Sequence, residues 1–321
     1  MAENSLIAWC HHTWSCWRGC CKVSPGCQLC YAEALSKRNP AVLGEWGPDA
    51  LRVINADWET PRRWDRKAAK LGTRHRVFPS LCDWLEDRPD LEATRARFLS
   101  LIAATPNIDW LLLTKRPENF VPLMERIASS SHEAMAVARD WLDEKPPANV
   151  WFGVSIENQE YADRRIPIMG MIPAALRWVS YEPALGPVDF RRLKPSFLLY
   201  DEHYDCLTGI KDGIGPVSWI VVGGESNQGG RKARPFDVEW ARSTVEQGRA
   251  AGTPVFVKQL GANPIAGPDM SEPNGIKRGL VQRHNQGWLD RHITDSHGGD
   301  PAEWPADLRV RELPQAEGVA S

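Results

Sequence analysis

Six of the eight cysteines of this chain fall between residues 10 and 30: Cys10, Cys16, Cys20, Cys21, Cys27 and Cys30, with only Cys82 and Cys206 elsewhere. Crowded cysteines serve as disulfide staples in small secreted domains, as metal ligands, or as catalytic thiols. A chain of 321 residues, 42% of them hydrophobic, can bury a full core without staples. Its first residues, Met1 to Ser5, have neither the basic flank nor the apolar run of a signal peptide, which predicts a reducing, cytoplasmic setting. The thiols are therefore expected to be ligands or catalytic groups.

The formal net charge of −2 provides no global basic field of the kind that marks nucleic-acid or membrane-surface proteins, although a local basic groove is compatible with it. The longest apolar runs, such as Trp110 to Leu113 and Trp219 to Val222, are far shorter than the roughly 20 residues of a spanning helix, so no membrane partner is expected.

Seven short apolar runs read as strands: Leu6 to Trp9, Arg76 to Pro79, Asp109 to Thr114, Val150 to Ser155, Leu176 to Ser180, Trp219 to Val222 and Pro254 to Lys258. Helical stretches separate them. Leu91 to Ala104 is rich in helix formers, and Asp237 to Ala251 has a capping aspartate, an apolar face of Val238, Ala241 and Val245, and Gly252 as its stop. Strand and helix in alternation predict an α/β fold, a (β/α) barrel or partial barrel with loop insertions, with a doubly wound open sheet as the alternative. The economical organisation is one domain over 1–314, with insertions at Asn39 to Gly72 and Pro195 to Gly215, an irregular C-terminal segment from about Gly261, and a disordered tail at 315–321.

In parallel α/β folds ligands collect at the carboxyl ends of the strands. Here those ends carry the cysteine loop, Ser80 and Asp83, then Thr114-Lys115-Arg116, Ser155 with Glu157, Tyr181-Glu182, Gly223-Gly224-Glu225-Ser226, and Lys258-Gln259. Charged residues directly after buried strands need partners, either one another in a structural network or a charged ligand. Of the tryptophans, Trp110, Trp151, Trp178 and Trp219 occupy strand positions and read as core, whereas Trp14, Trp17 and Trp84 lie near the predicted mouth, where they would shield a cluster.

The spacing Cys20-x6-Cys27-x2-Cys30 can close three thiolates around one point, with Ser24-Pro25-Gly26 bending the longer arm back. Zinc would need a fourth ligand from Cys16, Cys21, His11 or His12. An iron–sulfur cluster held by three cysteines leaves one iron open. A redox or catalytic thiol in the Cys27-x2-Cys30 pair is the third chemistry. Against structural zinc stands the absence of a second matched ligand pair and the position of the loop directly after the first strand.

Further motifs run along most of the chain: Trp17-Arg18-Gly19-Cys20 with Lys22 to Cys27 and Cys30-Tyr31-Ala32-Glu33, Leu112 to Glu118, Asn149 to Asn158, Ser180-Tyr181-Glu182-Pro183, Val221 to Ser226, Phe256-Val257-Lys258-Gln259, Gly298-Gly299-Asp300 and Glu303-Trp304-Pro305. With them the sequence resembles the phage-associated three-cysteine-motif proteins, a family of unknown function placed near the radical S-adenosylmethionine enzymes. Two departures stand out. Ser15-Cys16 replaces the usual Asn-Pro, and Cys21 stands where Thr is common, so both departures add thiols that could supply a fourth ligand. The better-known radical enzymes space their first two cysteines by three residues, not six.

The resemblance implies a [4Fe-4S] cluster on Cys20, Cys27 and Cys30, S-adenosyl-L-methionine on its open iron, and an electron donor as partner. Gly223-Gly224-Glu225 would receive the methionine amino group, Lys115, Arg116 or Lys258 its carboxylate, and Ser155, Glu157 or Glu182 the ribose or substrate. The phage association points to nucleic acid or a nucleotide as substrate. Gly229-Gly230-Arg231-Lys232-Ala233-Arg234 reads either as a phosphate-gripping loop or as a solvated charge cluster. The alternative function is a non-catalytic protein with structural zinc that contacts nucleic acid or a partner protein. A metal-dependent hydrolase using the strand-end carboxylates comes third.

Overall fold

The structure is a computed structural model, and it describes residues 2–195, 203–209, 214–267 and 285–315. The fold is α/β, of the partial (β/α) barrel class. Its strands are β1 (Ala2–Glu3), β2 (His12–Thr13), β3 (Trp17–Arg18), β4 (Val53–Ile54), β5 (His75–Phe78), β6 (Ile108–Thr114), β7 (Val150–Ile156), β8 (Leu176–Tyr181), β9 (Trp219–Gly223), β10 (Phe236–Asp237), β11 (Val255–Gln259) and β12 (Pro264–Ile265). The principal sheet has the order β1-β2-β5-β6-β7-β8-β9-β11, and β1 pairs with β2 antiparallel. The helices are α1 (Tyr31–Ser36), α2 (Pro40–Leu43), α3 (Glu59–Leu71), α4 (Glu92–Ala103), α5 (Phe120–Ala128), α6 (Met135–Leu142), α7 (Gln159–Met171) and α8 (Val238–Ala251).

The chain divides into two compact units. The first comprises 1–155, 165–178 and 210–216. Within it β2, β5, β6 and β7 pair in parallel, and β7 is buried along its whole length. Strands buried on both faces are continuous apolar runs, which is why β6 and β7 were so plain in the sequence. The second unit comprises 156–164, 179–209 and 217–321. There β9 and β11 pair in parallel, and α8 packs on both. Asp237 caps α8 by accepting the Glu239 amide at 3.0 Å, and Gly252 closes it with a left-handed φ of 74°.

Six of the seven expected strands are present within a residue or two of their expected bounds. The exception is Leu6 to Trp9, which is turn and bend with Leu6 fully exposed; the strand lies just after it, at His12–Thr13. Pairing with the segment of β5 decides its place, because His11 and Trp14 donate to the Arg76 and Phe78 carbonyls. The segment Asn39 to Gly72 holds more regular structure than an insertion: it ends in α3, which buries Pro61, Trp64 and Ala68 at helical spacing. The expected tail falls on residues outside the described set from 316 onward, as do 196–202 and 210–213 of the second insertion.

Candidate functional site

The thiol loop grows out of β2 and is laced to the segment that follows β5. Ser15 Oγ accepts the Leu81 amide at 3.0 Å, and the Gly19 amide donates to the Leu81 carbonyl at 3.1 Å. β3 pairs with β4, and the Cys20 amide donates to Glu45 O at 3.3 Å while Gly47 N donates back to Cys20 O at 3.0 Å. Arg52 holds that arm. Its guanidinium meets both Glu86 oxygens at 2.9 and 2.6 Å and donates to the carbonyls of Glu45, Gly47 and Ala50. Both side chains are nearly fully buried, so each charge depends on the other.

Past β3 the loop makes a single 3-10 turn at Pro25–Cys27, and Cys30 stands at the N-cap of α1. Ser24 Oγ and Cys27 Sγ are 3.7 Å apart. Burial pushes the Cys30 thiol above its ordinary range, opposed by the amides of Glu33 and Ala32; Cys27 adds to the rise and Lys115 opposes it. The Cys20 thiol faces Arg116, whose Nη1 is 3.9 Å from Sγ, and donates to the Cys21 carbonyl at 3.5 Å. Burial first, then the Asp83 charge, pushes Cys20 up to about 12 against the pull of Arg116.

The end of β6 supplies the cations. Arg116 donates to Asp83 Oδ2 and to Cys21 O, each at 2.6 Å. Asp83 also accepts from Thr114 Oγ1 at 2.7 Å and from the Lys115 amide at 3.0 Å. Burial works against the charge on Arg116, but Asp83 and Cys20 hold its pKa above that of an ordinary arginine. The Lys115 ammonium donates to Ser155 Oγ at the end of β7, and Arg165 holds the Ser155 carbonyl at 2.8 Å.

Among the described residues, no group of three or more His, Cys, Asp or Glu side chains is arranged to hold a metal ion. Cys27 and Cys30 lie near one another, whereas Cys20 is turned toward Arg116 and the Cys21 carbonyl. The donors still fit a thiolate-bound cluster in kind. Three thiols share one loop, and the charged groups offered by the neighbouring strand end are an arginine and a lysine, which offset thiolate charge. Cys82 joins the thiols at this end: it lies against Cys16, and burial first, then Cys16 and the more distant influence of Cys20, pushes it well above the ordinary range. Buried Arg95 lies beside Cys16, and its Nη1 has no hydrogen-bond partner in the structure, nor do Nε1 of Trp17 and Trp84. Trp14, Trp17 and Trp84 are almost wholly buried, as are Trp110, Trp151, Trp178 and Trp219.

In the second unit the strand-end residues pair among themselves. Lys258 Nζ is 2.8 Å from Glu182 Oε1. Glu225 receives Arg234 through three contacts: the backbone amide at 2.7 Å, Nε at 2.8 Å and Nη2 at 2.7 Å. One arginine of the Gly229 to Arg234 segment, which reads as a phosphate-gripping loop or a solvated charge cluster, is thus committed to the Gly-Gly-Glu carboxylate. Gly224 has its own packing reason, since a Cβ there would come within 2.7 Å of the Leu260 carbonyl and 2.9 Å of Phe236. Gly223 packs against the Gln259 backbone in the same way, at 3.0 Å. Glu157 is fully buried, and its carbonyl accepts the Leu185 amide at 2.7 Å.

Arg52, Glu86 and Cys82 were not singled out from the sequence. No local pattern marks them: Arg52 sits in a polar stretch, and its partner is 34 residues away. A polar loop residue becomes a buried ion pair only through tertiary packing.

Fold and site together define a partial (β/α) barrel protein with a thiol-rich loop after its first parallel strand. The chain belongs to the DUF5131 family, described as a protein of unknown function, whose profile matches residues 4–294. Comparison with curated proteins and with solved structures gave no match.

Proposed function

We propose that this chain is an iron–sulfur protein of the radical S-adenosylmethionine type, with Cys20, Cys27 and Cys30 as ligands of a [4Fe-4S] cluster. One observation carries the reading: the loop with the three thiols has Arg116 and Lys115 as its charged neighbours from β6. When bound, such a cluster supplies one-electron reduction of S-adenosylmethionine, chemistry that belongs to the cofactor. The chain's own residues prepare the place. Arg116 ties the Cys21 carbonyl to Asp83 and so fixes the arm that bears Cys20. The Cys20 thiol keeps its proton at neutral pH and must release it on ligation, and Arg116 then faces the resulting thiolate. Lys115, bonded to Ser155, adds a weaker favourable charge for Cys30.

In the second unit Arg234 engages Glu225 and Lys258 engages Glu182, so either carboxylate would have to exchange its partner to receive an amino group. Nucleic acid or a nucleotide is the proposed substrate class, by way of the resemblance to phage-associated proteins, and an electron donor is the proposed partner.

A second reading rests on Cys82, which bonds Cys16 and has Cys20 among its neighbours. A fourth thiol would close a zinc site and leave no open position. Anaerobic reconstitution with iron and sulfide separates the two. The first reading expects a brown protein that forms 5′-deoxyadenosine from S-adenosylmethionine on reduction; a colourless protein with one firmly bound zinc overturns it.

A further inference from the structure

Three imidazoles gather where strands β2 and β5 begin, at the ends away from the thiol loop. His11, His12 and His75, with Asn4, Ser5, Cys10, Lys67 and Leu71, line a cavity of about 390 Å³. The hydrogen bonds fix where the ring protons sit. His12 Nδ1 accepts the Asn4 amide at 3.3 Å, so its proton is on Nε2, which lies 3.1 Å from His75 Nδ1 and donates to it. The proton of His75 is then on Nε2. His11 Nδ1 accepts the Arg76 amide at 2.8 Å, so its proton is also on Nε2.

These tautomers decide what the cavity can take. A metal ion needs a lone pair, but the Nε2 atoms of His11 and His75 bear protons, and moving those protons to Nδ1 would break the contacts there. An anion needs donors, and two ring N–H groups, the Ser5 hydroxyl and the Lys67 ammonium are available. Lys67 comes from α3 and Arg76 from β5 lies beside His11; against them stand Glu3 of β1, which is 3.6 Å from Lys67 and faces His12 and His75, and Asp109, which faces Arg76.

We infer that this cavity binds a phosphate group, free or as a monoester, through the Nε2–H groups of His11 and His75 and the ammonium of Lys67. Burial, Arg76 and the neighbouring imidazoles push His11 down to about 4, and burial with His75 and Lys67 pushes His12 down to about 4. A phosphate in place would oppose those neighbours and let the rings hold a second proton more readily.

The test is a titration of the full chain with inorganic phosphate, followed through the side-chain nitrogens of its histidines by NMR, and then with a simple phosphate monoester. Saturable movement of the His11 and His75 signals, with a rise of the His11 midpoint from about 4, is the expected result. Tighter binding of the monoester would identify an ester as the occupant; equal or weaker binding would identify the free ion. Lys67 is exposed, so Lys67→Met should leave the fold intact and weaken phosphate binding about tenfold. Histidine signals that stay still at tens of millimolar phosphate, or that move equally in Lys67→Met, would overturn the assignment. So would stoichiometric binding of zinc alone at the Nε2 atoms.

Discussion

Arg116 Nη1 meets Asp83 Oδ2 at 2.6 Å, and the other arm of the same guanidinium holds the Cys21 carbonyl. Two residues 33 positions apart, one after β5 and one after β6, thereby fasten the thiol loop to the strand ends. Both side chains are less than a tenth exposed, so removing one leaves the other charged and buried. Arg116→Met should lower the unfolding free energy by about 3–5 kcal/mol, and adding Asp83→Leu should restore part of the loss. Urea unfolding of the single and double variants measures this, and a single variant within about 1 kcal/mol of the parent would mean that the pair does not fasten the loop.

Much of the architecture was written in local patterns. β6 and β7 announce themselves as apolar runs, and α8 carries its cap, its face and its stop in order. β2 lies after the apolar run Leu6 to Trp9 because a two-residue strand is set by its neighbour's carbonyls and not by its own composition. At the site the sequence named Lys115, Arg116, Ser155, Glu182 and Lys258 because they follow strands. It did not reveal that Lys115 would meet Ser155 or that Glu182 would meet Lys258, because such pairs depend on which strands lie side by side.

Alkaline pH tests the buried Cys20 thiol. Its pKa in the fold is raised from 9.0 to about 12, so the folded chain keeps a proton that the unfolded chain sheds. The stabilisation is complete below pH 9 and is lost as pH rises toward 12. The urea midpoint of the parent should therefore fall more steeply over this range than that of Cys20→Ser. Parallel slopes would show that Cys20 is not held as a thiol.

Acid pH tests the histidine cluster with the opposite sign. His11 and His12 are pushed from 6.5 down to about 4, so the unfolded chain binds protons first. Their contribution is present above pH 6.5 and is lost as pH falls toward 4. Thermal unfolding in a phosphate-free buffer should show a drop across that window, and His11→Gln should flatten it. A drop of the same size in His11→Gln would assign the acid sensitivity to other groups.

The packing of Gly224 predicts that Gly224→Ala costs about 1–3 kcal/mol, because the Leu260 carbonyl and Phe236 leave a methyl group no room. Chemical denaturation gives the number. A neutral result would mean that β9 and its neighbours can yield, and the glycine would then need a reason other than packing.

The proposed function stands on Cys20, Cys27 and Cys30 holding a cluster with one iron open to S-adenosylmethionine. Electron paramagnetic resonance of the anaerobically reconstituted, reduced protein tests this directly, with S-adenosylmethionine added to the parent, to Cys16→Ser and to Cys20→Ser. The parent and Cys16→Ser should each show a cluster signal that changes on addition, and Cys20→Ser should show no such signal. A parent spectrum that S-adenosylmethionine leaves unchanged, or a cluster that survives loss of the Cys20 thiol, would contradict it.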